Sequence, residues 1–166
     1  MNKLKTVFLD RDGVINKERS DYIKSISELE IFPNVAKNIE LLKNAGFLVV
    51  VITNQSVINR GLITHETVDQ IHDSIQNYLK TNGTSIDGFF YCPHKPNENC
   101  NCRKPKPGLL HQAILELNID PKSSWMIGDN NSDIDAATSI GCKAIKLSKN
   151  FSLGKAVSKI LNSRTD

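Results

Sequence analysis

No stretch of this 166-residue chain approaches the roughly 20 apolar residues that a membrane-crossing helix needs. Behind Lys3 and Lys5 the apolar run is only Val7-Phe8-Leu9 before Asp10 stops it, too short for the core of a secretory signal. A cytoplasmic address is therefore expected. Aromatic residues are few, at 6%, and the net charge is only +3 with no long basic run. Nucleic-acid binding calls for stacking rings and a broad basic face, so neither a nucleic-acid nor a membrane partner is expected. Repeats and low-complexity linkers are missing too. What is left is an ordinary globular composition, with a length that suits one domain, residues 1–166, acting as a monomer.

Apolar patterning alternates between two periods. Thr6–Asp10 reads as a strand, and residues 13–33 are polar and irregular, with a short extended piece at Leu29–Phe32. Pro33-Asn34 opens a helix that Gly46 closes. Phe47–Ile52 is a continuous β-branched run, as in a strand buried on both faces. Thr64 caps a helix carrying Val68, Ile71, Ile75, Tyr78 and Leu79 at helical spacing, with Gly83 just beyond. Phe89–Tyr91 is a third strand. Pro107 starts a helix, Trp125–Ile127 is a fourth strand, Ser132–Ile140 a helix closed by Gly141, Lys143–Leu147 a fifth strand, and 152–161 a last helix. Such alternation predicts an α/β fold with a parallel sheet doubly wound by helices. Between strands one and two there is no room for a cap domain, only a flap over 13–33.

Loops at the carboxyl ends of parallel strands form the ligand crevice of such a sheet, and reactive residue types fall there. Asp10 and Asp12 follow strand one, Thr53-Asn54-Gln55 strand two, and Gly128-Asp129 strand four. Carboxylates at neighbouring strand tips suit a hard divalent cation, Mg2+ above all. The Thr53 hydroxyl, the Asn54 amide, the Lys104 point charge and the Arg103 fork all suit phosphoryl oxygens. This set predicts phosphoryl transfer. Asp10 is the nucleophile, Asp12 the acid and then the base, and Thr53 and Lys104 hold the oxygens that gather charge. Arg11, between the aspartates, is expected to point the other way.

Cysteine is scarce, at four, and unevenly placed. Cys92 and His94, then Cys100 and Cys102, supply three thiolates and an imidazole within a Pro- and Asn-rich loop, 92–106. In a reducing compartment such a cluster points to a closed, structural Zn2+ site and not to disulfides. Cys142, alone beside a strand, reads as a core residue. His65, His72 and His111 read as surface or packing residues of helices. Two non-enzymatic readings compete. One is a receiver-like module that accepts phosphate on Asp10, against which stand Asp12 and the metal loop. The other is a nucleic-acid zinc module, for which rings and basic charge are too few.

The strings Asp10-Arg11-Asp12-Gly13-Val14-Ile15-Asn16, Thr53-Asn54-Gln55-Ser56 and Gly128-Asp129-x-x-x-Asp133, together with the Cys-x-His…Cys-x-Cys-Arg-Lys-Pro loop, resemble the haloacid dehalogenase (HAD) superfamily of phosphatases. More narrowly, the chain is similar to the branch of heptose 1,7-bisphosphate and histidinol phosphatases, from residue 6 to about 148. The resemblance implies a HAD-like Rossmannoid sheet and Mg2+ held by Asp10, the Asp12 carbonyl and Asp129. It also implies a phosphorylated sugar as substrate, contacted by Glu18, Arg19, Ser20, Asp21, Tyr22, Asn54, Gln55, Ser56 and Arg103. A heptose 1,7-bisphosphate losing its 7-phosphate is the first expectation, and histidinol phosphate or another sugar phosphate the alternative. Relatives often carry a substrate-contacting Lys after the metal aspartate, where this chain has Asn130.

Overall fold

The computed structural model of the chain describes residues 2–163, so the outermost residues of the expected 1–166 domain lie outside the described residues. Five parallel strands form one sheet: β1 (Thr6–Leu9), β2 (Leu48–Asn54), β3 (Gly88–Cys92), β4 (Trp125–Gly128) and β5 (Lys143–Lys146). Their spatial order is β3-β2-β1-β4-β5. The register sets Phe8 between Val50 and Met126, and Leu9 between Val51 and Ile127. The helices are α1 (Val35–Asn44), α2 (His65–Thr81), α3 (Gly108–Leu117), α4 (Asn131–Ser139) and α5 (Leu153–Asn162).

Successive strand residues point to opposite faces, and the core divides accordingly. Val7, Leu9, Val49, Val51, Ile127 and Ile145 pack on one face with side chains of α1, α2 and α5. Phe8, Val50, Ile52, Phe90 and Met126 pack on the other with side chains of α3 and α4. The sheet is thus doubly wound, as the alternation predicts. Burial of each such Val, Leu, Ile or Phe contributes about 1.5–3 kcal/mol, so strands covered on both sides need no polar alternation. Strand order reverses between β1 and β4, which opens a crevice at their carboxyl ends. Asp10 and Asp129 are the residues immediately after those two strands.

The 13–33 segment is tied down at its base. Asn16 bridges Ile31 in antiparallel fashion, Phe32 N–H donates to the Ile15 carbonyl at 3.0 Å, and Lys17 N–H donates to the Glu30 carbonyl at 2.9 Å. The expected extended piece at Leu29–Phe32 holds a single bridge, at Ile31, flanked by the bonds of Glu30 and Phe32, and a short 3-10 turn over Ile26–Glu28 precedes it. Ile15 and Ile23 are buried and anchor the flap to the core.

The 92–106 loop is closed where Gly108 N–H donates to the Asn101 carbonyl at 3.0 Å. A Cβ on Gly108 would sit 2.2 Å from that carbonyl oxygen, so only glycine lets α3 start this close to the loop. Gly108→Ala is expected to lower the unfolding free energy by about 1–3 kcal/mol, as overpacking does, read as a shift of the urea midpoint.

Candidate active site

The centre of the site is a buried ammonium group. Lys104 Nζ donates to Asp10 Oδ1 at 3.0 Å and to the Ile52 carbonyl at 2.7 Å, and it pairs with Asp133 Oδ1 at 2.6 Å. Three protons meet three acceptors, so the buried cation is fully satisfied. Burial works against its charge, but Asp10 and Asp133 outweigh burial and hold the Lys104 pKa above its ordinary value. Asn54 fixes the backbone of this lysine from both sides. Its Oδ1 accepts from Lys104 N–H at 3.0 Å and its Nδ2 donates to the Lys104 carbonyl at 3.2 Å. The amide expected to meet a phosphoryl oxygen is therefore engaged in clamping the loop, although Asn54 still lines the cavity.

Asp10, Asp129 and Asp133 each bring a carboxylate oxygen to within 4.8 Å of the others. Gly13, at φ +86°, is what lets the flap pass this cluster, since a Cβ there would lie 2.0 Å from Asp129 Oδ2. Burial pushes the Asp10 carboxyl up to about 7; Lys104 opposes this and the Asp133 carboxylate adds to it. Burial and Asp133 likewise raise Asp129. A single ammonium among three carboxylates leaves an excess of negative charge on hard oxygen donors. That donor set fits a magnesium ion, which relieves the excess.

Asp12 is turned away from the cluster. Its carboxylate accepts from Arg11 Nη2 at 3.0 Å, Asn16 Nδ2 at 2.9 Å and Gln55 Nε2 at 2.8 Å. Burial alone would raise its pKa, but Arg11 and the hydrogen bonds hold it below the ordinary carboxylate range. The expectation that Arg11 points elsewhere is corrected: the chain leaves its extended path after Asp10, and the guanidinium folds back, buried, onto its neighbour. His72 backs it, with Nε2 at 3.2 Å from Arg11 Nη1 and its ring stacked on Phe89 at 4.7 Å. Burial and Arg11 push His72 down to about 3, so the ring is neutral and accepts the guanidinium proton. Thr53 is buried, and its hydroxyl accepts from Gln55 Nε2 at 2.9 Å. Gln55 thereby orients both Asp12 and Thr53.

A cavity of about 290 Å³ opens over Asp10 and is also lined by Asp12, Asn54, Ser56, Arg103, Lys104 and Asn130. Glu18 and Tyr22 reach it from the flap. Arg19 and Ser20 line an adjoining chamber with Asp12 and Gln55. Asp21 reaches neither. It is exposed and engaged by Arg19 at 3.0 Å and Lys24 at 3.1 Å, so its expected place at the substrate is corrected. Asn130 donates through Nδ2 to Asp129 Oδ1 at 2.9 Å and brings no charge.

The metal loop closes as its spacing suggests. Sγ of Cys92, Cys100 and Cys102 and a ring nitrogen of His94 all lie within 4.8 Å of one another. Cys92 and Cys100 Sγ are 3.6 Å apart, and His94 Nδ1 is 3.3 Å from Cys92 Sγ and 3.2 Å from Cys102 Sγ. Thiolates bound tetrahedrally at about 2.3 Å from zinc are separated by about 3.7 Å; the Cys92–Cys100 separation matches this, Cys92 and Cys102 Sγ lie closer, at 3.0 Å, and it is the donor set of three thiols and an imidazole that suits that ion. Arg103 N–H donates to Cys100 Sγ at 3.3 Å and Arg103 Nη1 to the His94 carbonyl at 3.2 Å, which couples the cluster to the site. Cys142 is buried in the core.

The family model for HAD-hydrolase-like proteins matches residues 101–160. A D-glycero-beta-D-manno-heptose-1,7-bisphosphate 7-phosphatase from Haemophilus ducreyi is 39% identical over 160 residues, covering 92% of this chain and 86% of the relative. The chain belongs to the HAD-like phosphatases, in their heptose-bisphosphate branch. A D-glycero-alpha-D-manno-heptose-1,7-bisphosphate 7-phosphatase from Photorhabdus laumondii is 40% identical over 147 residues, covering 84% of this chain and 80% of the relative. The crystal structure of a D,D-heptose 1,7-bisphosphate phosphatase from B. bronchiseptica, complexed with magnesium and phosphate, superposes with a TM-score of 0.88 at 29% identity. It covers 96% of this chain and 99% of that one. No described helix of this HAD-like phosphatase is long and apolar enough to cross a membrane.

Three side chains at the site escaped the sequence reading. Asp133 belonged to a recognised string but had no role there; its position in the first turn of a helix after a strand-tip aspartate was the available signal. Arg11 was masked by the assumption of an extended backbone. Arg60 had no signal, since an arginine before Gly61 looks like any surface turn. Lys104→Met leaves Asp10 and Asp133 facing each other without their cation. Urea unfolding in chelator is expected to show a loss of about 3–5 kcal/mol, as when one partner of a buried ion pair is removed.

Proposed function

We propose that this HAD-like phosphatase hydrolyses D-glycero-D-manno-heptose 1,7-bisphosphate at its 7-phosphate. The observation that carries the reading is the convergence of Asp10, Asp129 and Asp133 around Lys104 at the β1/β4 crevice. The names of the relatives supply the substrate class.

In this reading Asp10 attacks phosphorus through a carboxylate oxygen as the bond to the sugar oxygen breaks, giving an aspartyl phosphate. Asp12 gives its proton to the departing alkoxide. It then takes a proton from the water that attacks phosphorus and releases Asp10. Arg11, Asn16 and Gln55 hold Asp12 as a carboxylate in the free enzyme, the form that the second step uses. An arriving phosphate dianion opposes that by like-charge repulsion and favours uptake of the proton needed first. Lys104 keeps a positive charge beside the reacting oxygens throughout. Thr53, oriented by Gln55, is a candidate donor to the phosphoryl group. Asp10, Asp129 and Asp133, with the Asp12 carbonyl, would hold magnesium, which when bound neutralises charge on the phosphoryl oxygens and keeps Asp10 ionised.

Cys92, His94, Cys100 and Cys102 would hold a structural zinc ion, since four protein ligands leave no open position. Arg103 and Lys104 follow the last ligand directly, so the order of this loop governs the position of both cations. Compartment and oligomeric state rest on the same reading: a small cytoplasmic enzyme acting as a monomer on a sugar phosphate.

Ranking both anomers of the heptose bisphosphate, histidinol phosphate and other sugar phosphates by kcat/KM is expected to put a heptose bisphosphate first. Asp10→Asn is expected to fall to background on all of them. A flat ranking would reduce the reading to a general phosphatase, and turnover by the Asn variant at the wild-type rate would remove the covalent route. Stripping zinc with a chelator, with magnesium then restored, is expected to lower the melting temperature and the phosphatase rate together, and added zinc to return both. Full activity in a preparation shown by elemental analysis to lack zinc would separate the loop from the chemistry.

A further inference from the structure

A bisphosphate carries a second phosphate that does not react, and the cavity over Asp10 is a poor place for it. Asp10, Asp12, Glu18 and Asp133 all line that cavity. Of the cations there, one is fully committed and a second in part. Lys104 is saturated by Asp10, Asp133 and the Ile52 carbonyl. Arg103 gives one terminal nitrogen to the His94 carbonyl. Asn130 contributes no charge and donates its amide to Asp129. The third cation on the cavity wall is Arg60.

Arg60 is exposed but held. Its Nε donates to Ser56 Oγ at 3.1 Å, and Ser56 is itself buried. Its guanidinium lies over the Tyr22 ring, 5.5 Å from the centroid, so it joins the β2–α2 loop to the flap. The loop that carries it is pinned to the metal loop: Asn59 N–H donates to the Pro93 carbonyl at 3.3 Å, and Asn59 Nδ2 contacts both Glu98 carboxylate oxygens. Among the described residues the two terminal nitrogens of Arg60 have no hydrogen-bond or ion-pair partner. A guanidinium tethered at Nε and stacked on a ring presents those two nitrogens as a fork for a phosphate, with little rotamer freedom left to lose.

We infer that Arg60 is a specificity residue of this site, binding the non-reacting phosphate of the sugar bisphosphate at the cavity mouth between the flap and the β2–α2 loop. The inference rests on the bisphosphate reading above and adds to it the group that selects a bisphosphate over a monophosphate. Ser56 and Tyr22 act as positioning residues for that guanidinium. Arg60 also supplies the positive charge that Asn130 lacks.

The test is steady-state kinetics of wild type, Arg60→Ala, Arg60→Gln and Arg60→Lys with the heptose 1,7-bisphosphate and with the heptose 7-phosphate, which shares the reacting end and lacks the 1-phosphate. Loss of a charge-assisted phosphate contact is expected to raise KM for the bisphosphate about 10- to 100-fold in the Ala and Gln variants. The rise for the 7-phosphate is expected to be much smaller, and Lys is expected to recover part of the loss. Variants that keep the wild-type preference for the bisphosphate would overturn the assignment to Arg60 alone. A parallel fall in kcat on both substrates would also overturn it, because a merely structural role acts on both. A wild-type enzyme with no preference between the two substrates would instead defeat the bisphosphate reading, and the role of Arg60 with it.

Discussion

The ammonium of Lys104 is the point through which the site is assembled. It sits where β1, β2 and α4 come together, bonded to Asp10 at the tip of the first, to the Ile52 carbonyl of the second and to Asp133 in the first turn of the third. A lysine taken out of water costs several kcal/mol unless every proton finds an acceptor. Here each does, and two acceptors are charged. The same contacts hold Asp10 and Asp133 close despite their mutual repulsion. Position is therefore conferred on Asp10 by a residue that lies 94 positions away in the chain.

Lys104 in turn depends on the 92–106 loop. That loop contributes little to either core and is shaped by its own polar contacts. The Cys and His cluster gathers one end, Asn54 grips the Lys104 backbone, and the Asn101 carbonyl meets Gly108 at the start of α3. The Cys and His cluster and the acidic cluster meet at Cys102-Arg103-Lys104. The flap closes the opposite side, anchored by Ile15 and Ile23 and touching the β2–α2 loop where Tyr22 meets Arg60. Three segments with different means of support thus frame one small acidic cavity.

Much of this was legible from the chain. β1 and β4 are short apolar runs followed at once by Asp10 and Asp129, the apolar run of β2 ends the strand in Thr53-Asn54, and a parallel sheet brings such strand ends together. All five strands and five helices stand where the patterning puts them, with ends displaced by one or two residues. The spacing of Cys92, His94, Cys100 and Cys102 announced a cluster because those side chains have few other reasons to recur so closely. Two expectations did not hold. Arg11 folds back on Asp12, and Asp21 is drawn to Arg19 and Lys24. Each is a polar side chain whose partner is chosen by local backbone direction, which residue type does not specify.

The sequence by itself determined the layering of the molecule and which polar side chains stand at its strand ends. Hydrophobic period decides which segments can bury a face, and only certain side chains can donate to metal or phosphate. Tertiary structure alone decided which charges offset one another. It paired Lys104 with Asp10 and Asp133, gave Asp12 to Arg11 and left the fork of Arg60 open. Charge interaction depends on separation and burial, and both arise only when distant segments meet in space.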